Sequence, residues 1–324
     1  MSSLGWNTVL WLVGLFALMA LTALIGVYWE RKLIGHFQAR RGPLHHGWHG
    51  LLQLPADMVK MISKEDVVPT KADRMLFQVA PMFVVVPAFM SLAAMTFMPG
   101  AAFVDMRHGL FFVFAMQTVM PVGFALIGWS CDNKYTLLGG LRAAAQLISY
   151  EIPMLLAAMG VVMSVGSMRL TDIAQAQADG PWFIVRQPIG FVIFCIAVLA
   201  EINRTPFDMS EADSELVAGY HTEYSGMKFG LVQLAEYTAL LMGSYLIATL
   251  FLGGWNMPLL PASPVWLFLK TVLLMSSTMW IRATFPRMKV DALMEMSWKV
   301  LIPVGLANIM LVASLMLVLP KRWF

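Results

Sequence analysis

Long uncharged runs dominate the hydrophobic pattern of the chain, and polar segments separate them. A helix needs roughly 20 apolar residues to cross a bilayer. Eight runs are candidates for such helices, at approximately 9–28, 75–98, 110–129, 143–165, 189–202, 231–252, 265–281 and 300–319. The pattern predicts an all-α polytopic membrane protein with about eight transmembrane helices in a single integral membrane domain, residues 1–324. The fifth run is too short to cross unless Glu201 or Arg186 is drawn toward the membrane.

A second kind of element lies between the first two runs, at residues 51–62. Apolar and polar residues recur there at helical spacing on opposite stripes. The apolar stripe holds Leu51, Leu54, Met58, Met61 and Ile62, and the polar stripe holds Gln53, Asp57, Lys60 and Lys64. The segment is too short and too charged to span, so it predicts an amphipathic helix that lies in the membrane interface.

The composition excludes several classes of protein. The chain is 59% hydrophobic and only 13% charged, about half the charge of a typical soluble domain. Two cysteines are too few for an iron–sulfur cluster or a disulfide framework, and no nucleotide-phosphate motif occurs. His45, His46 and His49 lack Cys or carboxylate partners at ligand spacing, so no metal site is predicted. Any redox cofactor is therefore expected on another chain, and no nucleic acid partner is expected.

The distribution of Lys and Arg predicts the orientation of the helices. The loops at about 29–74, 130–142, 203–228 and 282–299 hold 16 of the 22 Lys and Arg residues. The other side holds five, and Lys270 falls within a run. The positive-inside rule then predicts that these four loops are cytoplasmic and that both termini lie outside.

Four charged residues fall in or at the end of runs that otherwise suit lipid. Lys270 has a long stem that can reach an interface, so a structural role is the simpler interpretation. Glu151, Glu201 and Glu236 cannot reach water in this way, because a carboxylate side chain is short. Each must face protein, water or a partner cation, and each is a candidate for proton exchange.

Acidic residues are concentrated after the fifth run. Five acids and one arginine occur within residues 201–215, and a sixth acid follows shortly after. The set is Glu201, Arg204, Asp208, Glu211, Asp213, Glu215 and Glu223. An extended chain would put 211, 213 and 215 on one face, whereas a helix would turn 213 away. Such a set titrates as coupled groups. The alternative interpretation is a solvated acidic loop.

Six strings in this order resemble one known family over nearly the whole chain. They are Glu30-Arg31-Lys32 through Gly42-Pro43, Lys64-Glu65-Asp66 through Pro69, Asp132-Asn133-Lys134-Tyr135, Ser149-Tyr150-Glu151, Glu201 through Asp208, and Glu223 through Phe229. The family is the membrane subunit that borders the quinone site of respiratory complex I, the NADH-quinone oxidoreductase. Two positions depart from its usual pattern: Ile202 stands where Thr is usual, and Asp213 where Glu is common.

The resemblance implies a function and a set of partners. It implies a subunit in the bacterial cytoplasmic (inner) membrane at the junction with the peripheral arm, with quinone as substrate, lipid around it, and FMN and iron–sulfur clusters on other complex I subunits. The quinone chamber would be lined by Glu30, Arg31 and Asp57. The acidic path for proton translocation would comprise Glu151, Glu201, Arg204, Asp208, Glu211, Asp213, Glu215, Glu223 and Glu236.

Two alternative functions remain open on the sequence alone. One is the equivalent subunit of a related F420- or ferredoxin-linked dehydrogenase or of a membrane-bound hydrogenase. The other is a stand-alone ion transporter, which would explain the intramembrane acids but would give the long polar loops no role. Co-purification with iron–sulfur subunits would exclude the transporter.

Overall fold

A computed structural model describes residues 2–178, 180–210, 213–258 and 260–318. Helices make up most of the described chain. They are α1 Ser2–Phe37, α2 Gln53–Ser63, α3 Arg74–Val79, α4 Met82–Leu92, α5 Gly109–Gln117, α6 Met120–Ser130, α7 Lys134–Val165, α8 Leu170–Gln175, α9 Phe183–Arg186, α10 Pro188–Glu201, α11 Asp213–Leu216, α12 Gly226–Phe251, α13 Pro264–Thr284, α14 Val290–Glu295 and α15 Ile302–Val318. A π-helix, Met296–Leu301, joins α14 to α15, and two short strands, β1 Thr96–Met98 and β2 Ala101–Ala102, form a hairpin.

Seven helical segments of the described chain are long and apolar enough to cross a membrane. They are Val9–Phe37, Arg74–Leu92, Gly109–Ser130, Lys134–Val165, Gly226–Phe251, Pro264–Thr284 and Val290–Val318. The eighth predicted run is the 14-residue helix α10, which is roughly 21 Å long and so shorter than the bilayer core. The prediction of an all-α polytopic membrane protein is confirmed, with seven long helices and one short apolar helix.

In the structure the second apolar run does not form the one continuous helix that the sequence predicted. Instead of one helix to residue 98, the chain forms α3 and α4, and its last residues form β1. Pro81 lies between the two helices and has no N–H for a helical hydrogen bond. Gly100 turns the hairpin with φ +80°, a backbone conformation that glycine adopts without strain. The hydroxyl of Tyr245 donates to the Thr96 carbonyl at 3.0 Å and so fixes the hairpin on α12.

Helix α12 lies at the centre of the bundle. Nearly all residues of its second half are buried, whereas much of α1 is exposed to the surroundings of the bundle. A helix that is apolar on all sides is typical of a core position. Helices α1, α4, α10 and α13 pack against α12, and α7 packs against α10 within the main hydrophobic cluster. The central position of α12 matters for function because its first half carries Glu236 and Tyr237.

Contacts between loops define two ends of the bundle. The basic end comprises the described residues of loops 38–52, 64–73, 131–133, 202–225 and 285–289. For example, the Asp73 N–H donates to the Ser130 carbonyl at 3.1 Å, and the Met288 N–H donates to the Pro206 carbonyl at 3.0 Å. The opposite end comprises loops 93–108, 166–187 and 252–263, where described.

The predicted amphipathic helix is confirmed as α2, Gln53–Ser63. Leu54 is buried, whereas Ile62 on the same apolar stripe is exposed. In the acidic loop, the short helix α11 covers Asp213–Leu216, so residues 213 and 215 are helical rather than extended. Glu211 lies outside the described residues.

Candidate functional site

A cavity of about 830 Å³ opens at the basic end of the bundle. Its wall is formed by the end of α1, the beginning of α12, the end of α13 and parts of two loops. Among the described residues that line it are five arginines and two glutamates: Arg31, Arg40, Arg41, Arg204, Arg282, Glu30 and Glu236. The cavity is therefore polar and, with these groups ionised, carries net positive charge.

The length of α1 explains why Glu30 and Arg31 reach this cavity. The helix has 36 residues, which corresponds to roughly 54 Å and exceeds the thickness of the bilayer core. Its last turns therefore extend past the apolar span and can carry charged side chains. Glu30 is 5% exposed, while Arg31 is more open to solvent.

Glu30 is the centre of a buried charged cluster. Arg282 of α13 donates a hydrogen bond to its Oε1, and the Arg204 Nη1 atom lies 3.4 Å from the same oxygen. The Tyr237 hydroxyl donates to the other oxygen, Oε2, at 2.7 Å. Two cations and one hydroxyl thus satisfy this carboxylate, as a buried charge requires.

Arg204 extends the cluster to a second carboxylate. Its Nη2 atom lies 3.8 Å from Oε2 of Glu236. The Tyr220 hydroxyl donates to Oε1 of Glu236, and Nε2 of His221 lies 3.6 Å from that oxygen. One arginine therefore bridges two buried acids, and we call the set Glu30, Arg204, Arg282, Glu236, Tyr237, Tyr220 and His221 the Glu30 cluster.

An apolar pocket adjoins the cavity between α1, α2 and α12. It is narrow, about 90 Å³, and Leu54, Met58 and Met61 of α2 form part of its wall. It shares four lining residues with the polar cavity: Val27, Arg31, Gln233 and Tyr237. The two spaces are therefore neighbours, and an elongated molecule with a polar head and an apolar tail suits their combined shape and chemistry.

An ion pair joins α1 to α2 at the boundary of the two spaces. The Arg31 Nη1 atom donates to Oδ2 of Asp57 at 2.7 Å, and the Gln53 amide donates to Oδ1 at 2.9 Å. Partial burial acts to raise the pKa of Asp57, but the hydrogen bonds from Arg31 and Gln53 outweigh it and hold that pKa below its usual value. Asp57 is therefore ionised at neutral pH and positions Arg31.

Glu151 and Glu201 form a separate pair within the bundle. The Thr118 hydroxyl donates to Oε1 of Glu151 and also contacts the Phe114 carbonyl at 2.9 Å. Glu201 is buried at the end of α10, and its Oε2 atom has no hydrogen-bond partner in the described part of the chain. The two carboxylates are near enough to interact electrostatically. No cation contacts either of them among the described residues.

Gln146 of α7 fixes the segment that separates this pair from the Glu30 cluster. Its buried side-chain amide donates to the Ala200 carbonyl and to the Phe207 carbonyl, each at 2.7 Å. One side chain thus holds both the last turn of α10, which carries Glu201, and the turn that follows Arg204. Sequence reasoning did not identify Gln146, since a lone amide in an apolar run gives no motif.

The remaining predicted acids lie nearer the surface of the basic end. Arg142 donates to Glu215 at 2.7 Å, and Arg287 lies 3.5 Å from its other oxygen. The hydrogen bond from Arg142, together with the charge of Arg287, lowers the pKa of Glu215. Glu223 accepts a hydrogen bond from the Asn133 amide at 2.7 Å. Asp208 is half-buried, and Asp213 begins α11.

Most of the predicted acids that the structure describes fall into three groups. These are the Glu30 cluster, the Glu151–Glu201 pair and the surface contacts of Glu215 and Glu223. Sequence reasoning missed Arg282, Tyr237, Tyr220 and His221 as members of the first group. Tyr220 and His221 shortly precede the last of the six family-like strings, which was a usable signal, but Arg282 was counted only toward topology.

Lys270 has a different environment from the buried acids. Its ammonium group donates to the carbonyls of Leu252, Gly254 and Asn256 at 2.6, 2.9 and 2.6 Å. It also lies 4.3 Å from the centre of the Trp182 ring. These contacts support the structural interpretation of Lys270. Across the described residues, no group of three or more His, Cys, Asp or Glu side chains could hold a metal ion.

Comparison with known proteins identifies the family. A family model described as NADH dehydrogenase matches residues 10–313. The NADH-quinone oxidoreductase H subunit of Dehalococcoides mccartyi strain CBDB1 is 46% identical over 321 residues, which cover 99% of this chain and 90% of the relative. That of Geobacillus kaustophilus is 46% identical over 332 residues, covering 100% and 98%, and that of Anoxybacillus flavithermus is 48% identical over 306 residues, covering 93% and 91%. The chain therefore belongs to the family of NADH-quinone oxidoreductase H subunits, which are membrane subunits of complex I.

Proposed function

We propose that this chain is the membrane subunit of a proton-translocating NADH:quinone oxidoreductase that forms part of the quinone chamber. It couples quinone reduction to proton translocation through its buried carboxylates. The observation that carries the proposal is the arginine-rich cavity beside a narrow apolar pocket, with Arg31 in the wall of both. The names of the relatives support quinone as the substrate class.

The chemistry of the two spaces fits the two parts of a quinone. The isoprenoid tail would lie in the apolar pocket against α2, and the head group would reach the polar cavity. Arginine N–H groups can donate to the carbonyl oxygens of the head group, and the net positive charge favours the negative charge that develops there on reduction. The redox centres that deliver electrons, FMN and iron–sulfur clusters, would belong to partner subunits of the peripheral arm.

Proton coupling would begin at the Glu30 cluster. Charge that develops in the cavity acts directly on Glu30, Arg204 and Glu236, because all three line its wall. Arg204 joins the two carboxylates, so the three groups respond to that charge together. The change would pass to Glu201 and Glu151 across the segment that Gln146 holds, and the loop that carries Asp208, Glu211, Asp213, Glu215 and Glu223 would adjust its contacts at the same time.

The orientation of the subunit follows from its basic loops. We infer that the basic end faces the cytoplasm and that both termini lie outside, in accordance with the positive-inside rule. The peripheral arm would then dock on the basic end, next to the cavity. Other membrane-arm subunits and lipid would cover the exposed apolar faces of α1, α13 and α15.

The ion pair between Arg31 and Asp57 provides the test of the chamber. Arg31→Ala in the assembled complex should raise the apparent KM for a membrane quinone about tenfold, because a charged hydrogen-bond donor is lost from the wall. NADH oxidation with a water-soluble acceptor should stay near the parental rate, because that reaction does not use the chamber. Asp57→Asn should have a smaller effect of the same kind, since it leaves Arg31 in place but without its partner.

Arg107→Ala is the matched control, because Arg107 is exposed at the opposite end of the bundle. It should leave quinone kinetics unchanged. An unchanged KM in Arg31→Ala, with parental amounts of assembled complex, would count against a quinone chamber at this cavity.

A further inference from the structure

Pro153 lies inside α7, two residues after Glu151, and leaves one backbone carbonyl that its own helix cannot satisfy. In an α-helix each carbonyl accepts a hydrogen bond from the N–H group four residues later. Pro153 has no N–H, so the Ser149 carbonyl has no helical donor. Ser149 is buried, and an unpaired carbonyl in an apolar interior is costly.

A residue of the last long helical segment supplies the missing donor. The Ser297 hydroxyl, which is fully buried, donates to the Ser149 carbonyl at 2.6 Å. Two further hydrogen bonds lie beside it. The Trp298 indole donates to the Ser149 hydroxyl at 3.2 Å, and the Tyr150 hydroxyl donates to the Leu293 carbonyl at 2.9 Å.

Ser297 belongs to the π-helix Met296–Leu301. A π-helical turn accommodates one residue more than the α-helical turn it replaces, so it changes which side chains face a neighbouring helix. Such turns are rare and occur frequently at functional sites. Here the turn contacts Ser149 of α7, two residues before Glu151, and the neighbouring helix α14 contacts Tyr150 through Leu293.

We propose that Ser297 is a positioning residue for Glu151, through the hydrogen bond that replaces the one removed by Pro153. This inference rests on the proposed role of Glu151 in proton coupling. The bond fixes the backbone of α7 beside Pro153 in one arrangement, and that arrangement directs the Glu151 carboxylate to the Thr118 hydroxyl. Without it, the Ser149 carbonyl must find another donor, and the backbone that carries Glu151 moves with it.

The first test compares three single variants in the assembled complex, reconstituted into vesicles. Ser297→Ala should lower the rate of quinone-coupled proton translocation about tenfold, because one buried carbonyl loses its hydrogen-bond donor. The pH profile of translocation should shift as well. Ser297→Thr keeps a hydroxyl and should restore most of the rate and the parental profile. Ser314→Ala is the control, since Ser314 lies on the same helical segment and its hydroxyl bonds only to carbonyls of that segment.

The second test uses the proline. Pro153→Ala returns an N–H group to α7 that can donate to the Ser149 carbonyl. Ser297→Ala should therefore reduce the rate of proton translocation clearly less in the Pro153→Ala background than in the parental protein. An equal loss in both backgrounds would overturn the proposal. If Ser297→Ala alone fails to assemble, its assembly in the Pro153→Ala background supports the proposal, and failure in both backgrounds contradicts it.

Glu151→Gln separates this inference from the proposed function. If Glu151→Gln stops proton translocation while Ser297→Ala pumps at the parental rate with the parental pH profile, Ser297 has no positioning role and the function of Glu151 stands. If Glu151→Gln pumps like the parent, the proposed role of Glu151 fails, and with it the reason for positioning that residue.

Discussion

The Glu30 cluster and the Glu151–Glu201 pair bury the same chemical group in opposite surroundings. Glu30 contacts two arginines and a tyrosine hydroxyl. Glu151 contacts a threonine hydroxyl, and the Oε2 atom of Glu201 has no donor within the described chain. In the first region arginines pair with the buried carboxylates, whereas no described cation contacts the carboxylates of the second region.

The two surroundings suit different roles. A carboxylate between arginines is stable only as a charged group in a fixed geometry, and removal of one partner leaves a buried charge. A carboxyl group without a cation is buried at lower cost when it holds a proton. The Glu30 cluster therefore suits the wall of a binding chamber that senses charge, and the Glu151–Glu201 pair suits a relay that takes up and releases a proton.

Arg204→Met should have the largest effect, because it breaks the compensated region at its bridge. The free energy of unfolding should fall by about 3–5 kcal/mol, the usual cost of leaving a buried charge without its partner. Thermal unfolding of the purified complex and the amount assembled in the membrane measure this loss. Adding Glu236→Gln should recover part of it, because one of the two carboxylates is then neutral. No recovery would contradict the pairing of Arg204 with Glu236.

Glu201→Gln and Glu151→Gln should break the uncompensated region without loss of assembly. Neither change leaves a cation without its partner, so each variant should assemble with nearly parental stability. Each should nevertheless reduce the number of protons translocated per NADH or stop translocation, because glutamine keeps the shape but cannot titrate. Glu295→Gln is the control, since Glu295 is exposed and pairs with Lys299 on the same helical segment. If Glu201→Gln or Glu151→Gln translocates as many protons per NADH as the parent, at the parental rate, the replaced glutamate is structural.

Lys270→Met removes a charge that belongs to neither of the two acidic regions. In the described structure Lys270 contacts three carbonyl groups and the Trp182 ring. We expect a free energy of unfolding lower by about 2 kcal/mol, since three partly buried carbonyl groups lose their hydrogen-bond donor. The number of protons translocated per NADH should not change. A changed proton ratio at a parental melting temperature would mean that Lys270 belongs to the coupling machinery.

The fold was more predictable from the sequence than the site was. Long apolar runs and the two stripes of α2 are local patterns, and both predicted the helices correctly. The hairpin after α4 was missed, because residues 95–98 are apolar enough to extend a helix and the contact of Thr96 with Tyr245 joins residues that are distant in sequence. The composition of the Glu30 cluster was also missed in part. Its members come from four distant segments, so no local spacing reveals that Arg282 and Arg204 share one carboxylate.

The smallest expected effect concerns Glu215, whose contacts tie the acidic loop to Arg142 and Arg287. Both arginines lower the pKa of Glu215 in the folded protein, so the contacts persist at neutral pH and are lost only as pH falls through that lowered value. Glu215→Gln should therefore increase amide hydrogen exchange in residues 215–223 at pH 7, with a modest loss of quinone-reduction rate. Glu215 is 51% exposed, so salt should diminish the difference from the parent. At acid pH the two proteins should converge, because the parental carboxylate is then protonated. If the difference in amide hydrogen exchange between the variant and the parent grew as pH fell, the contacts of Glu215 with the two arginines would not hold the loop. The loop would then have no charge-dependent role.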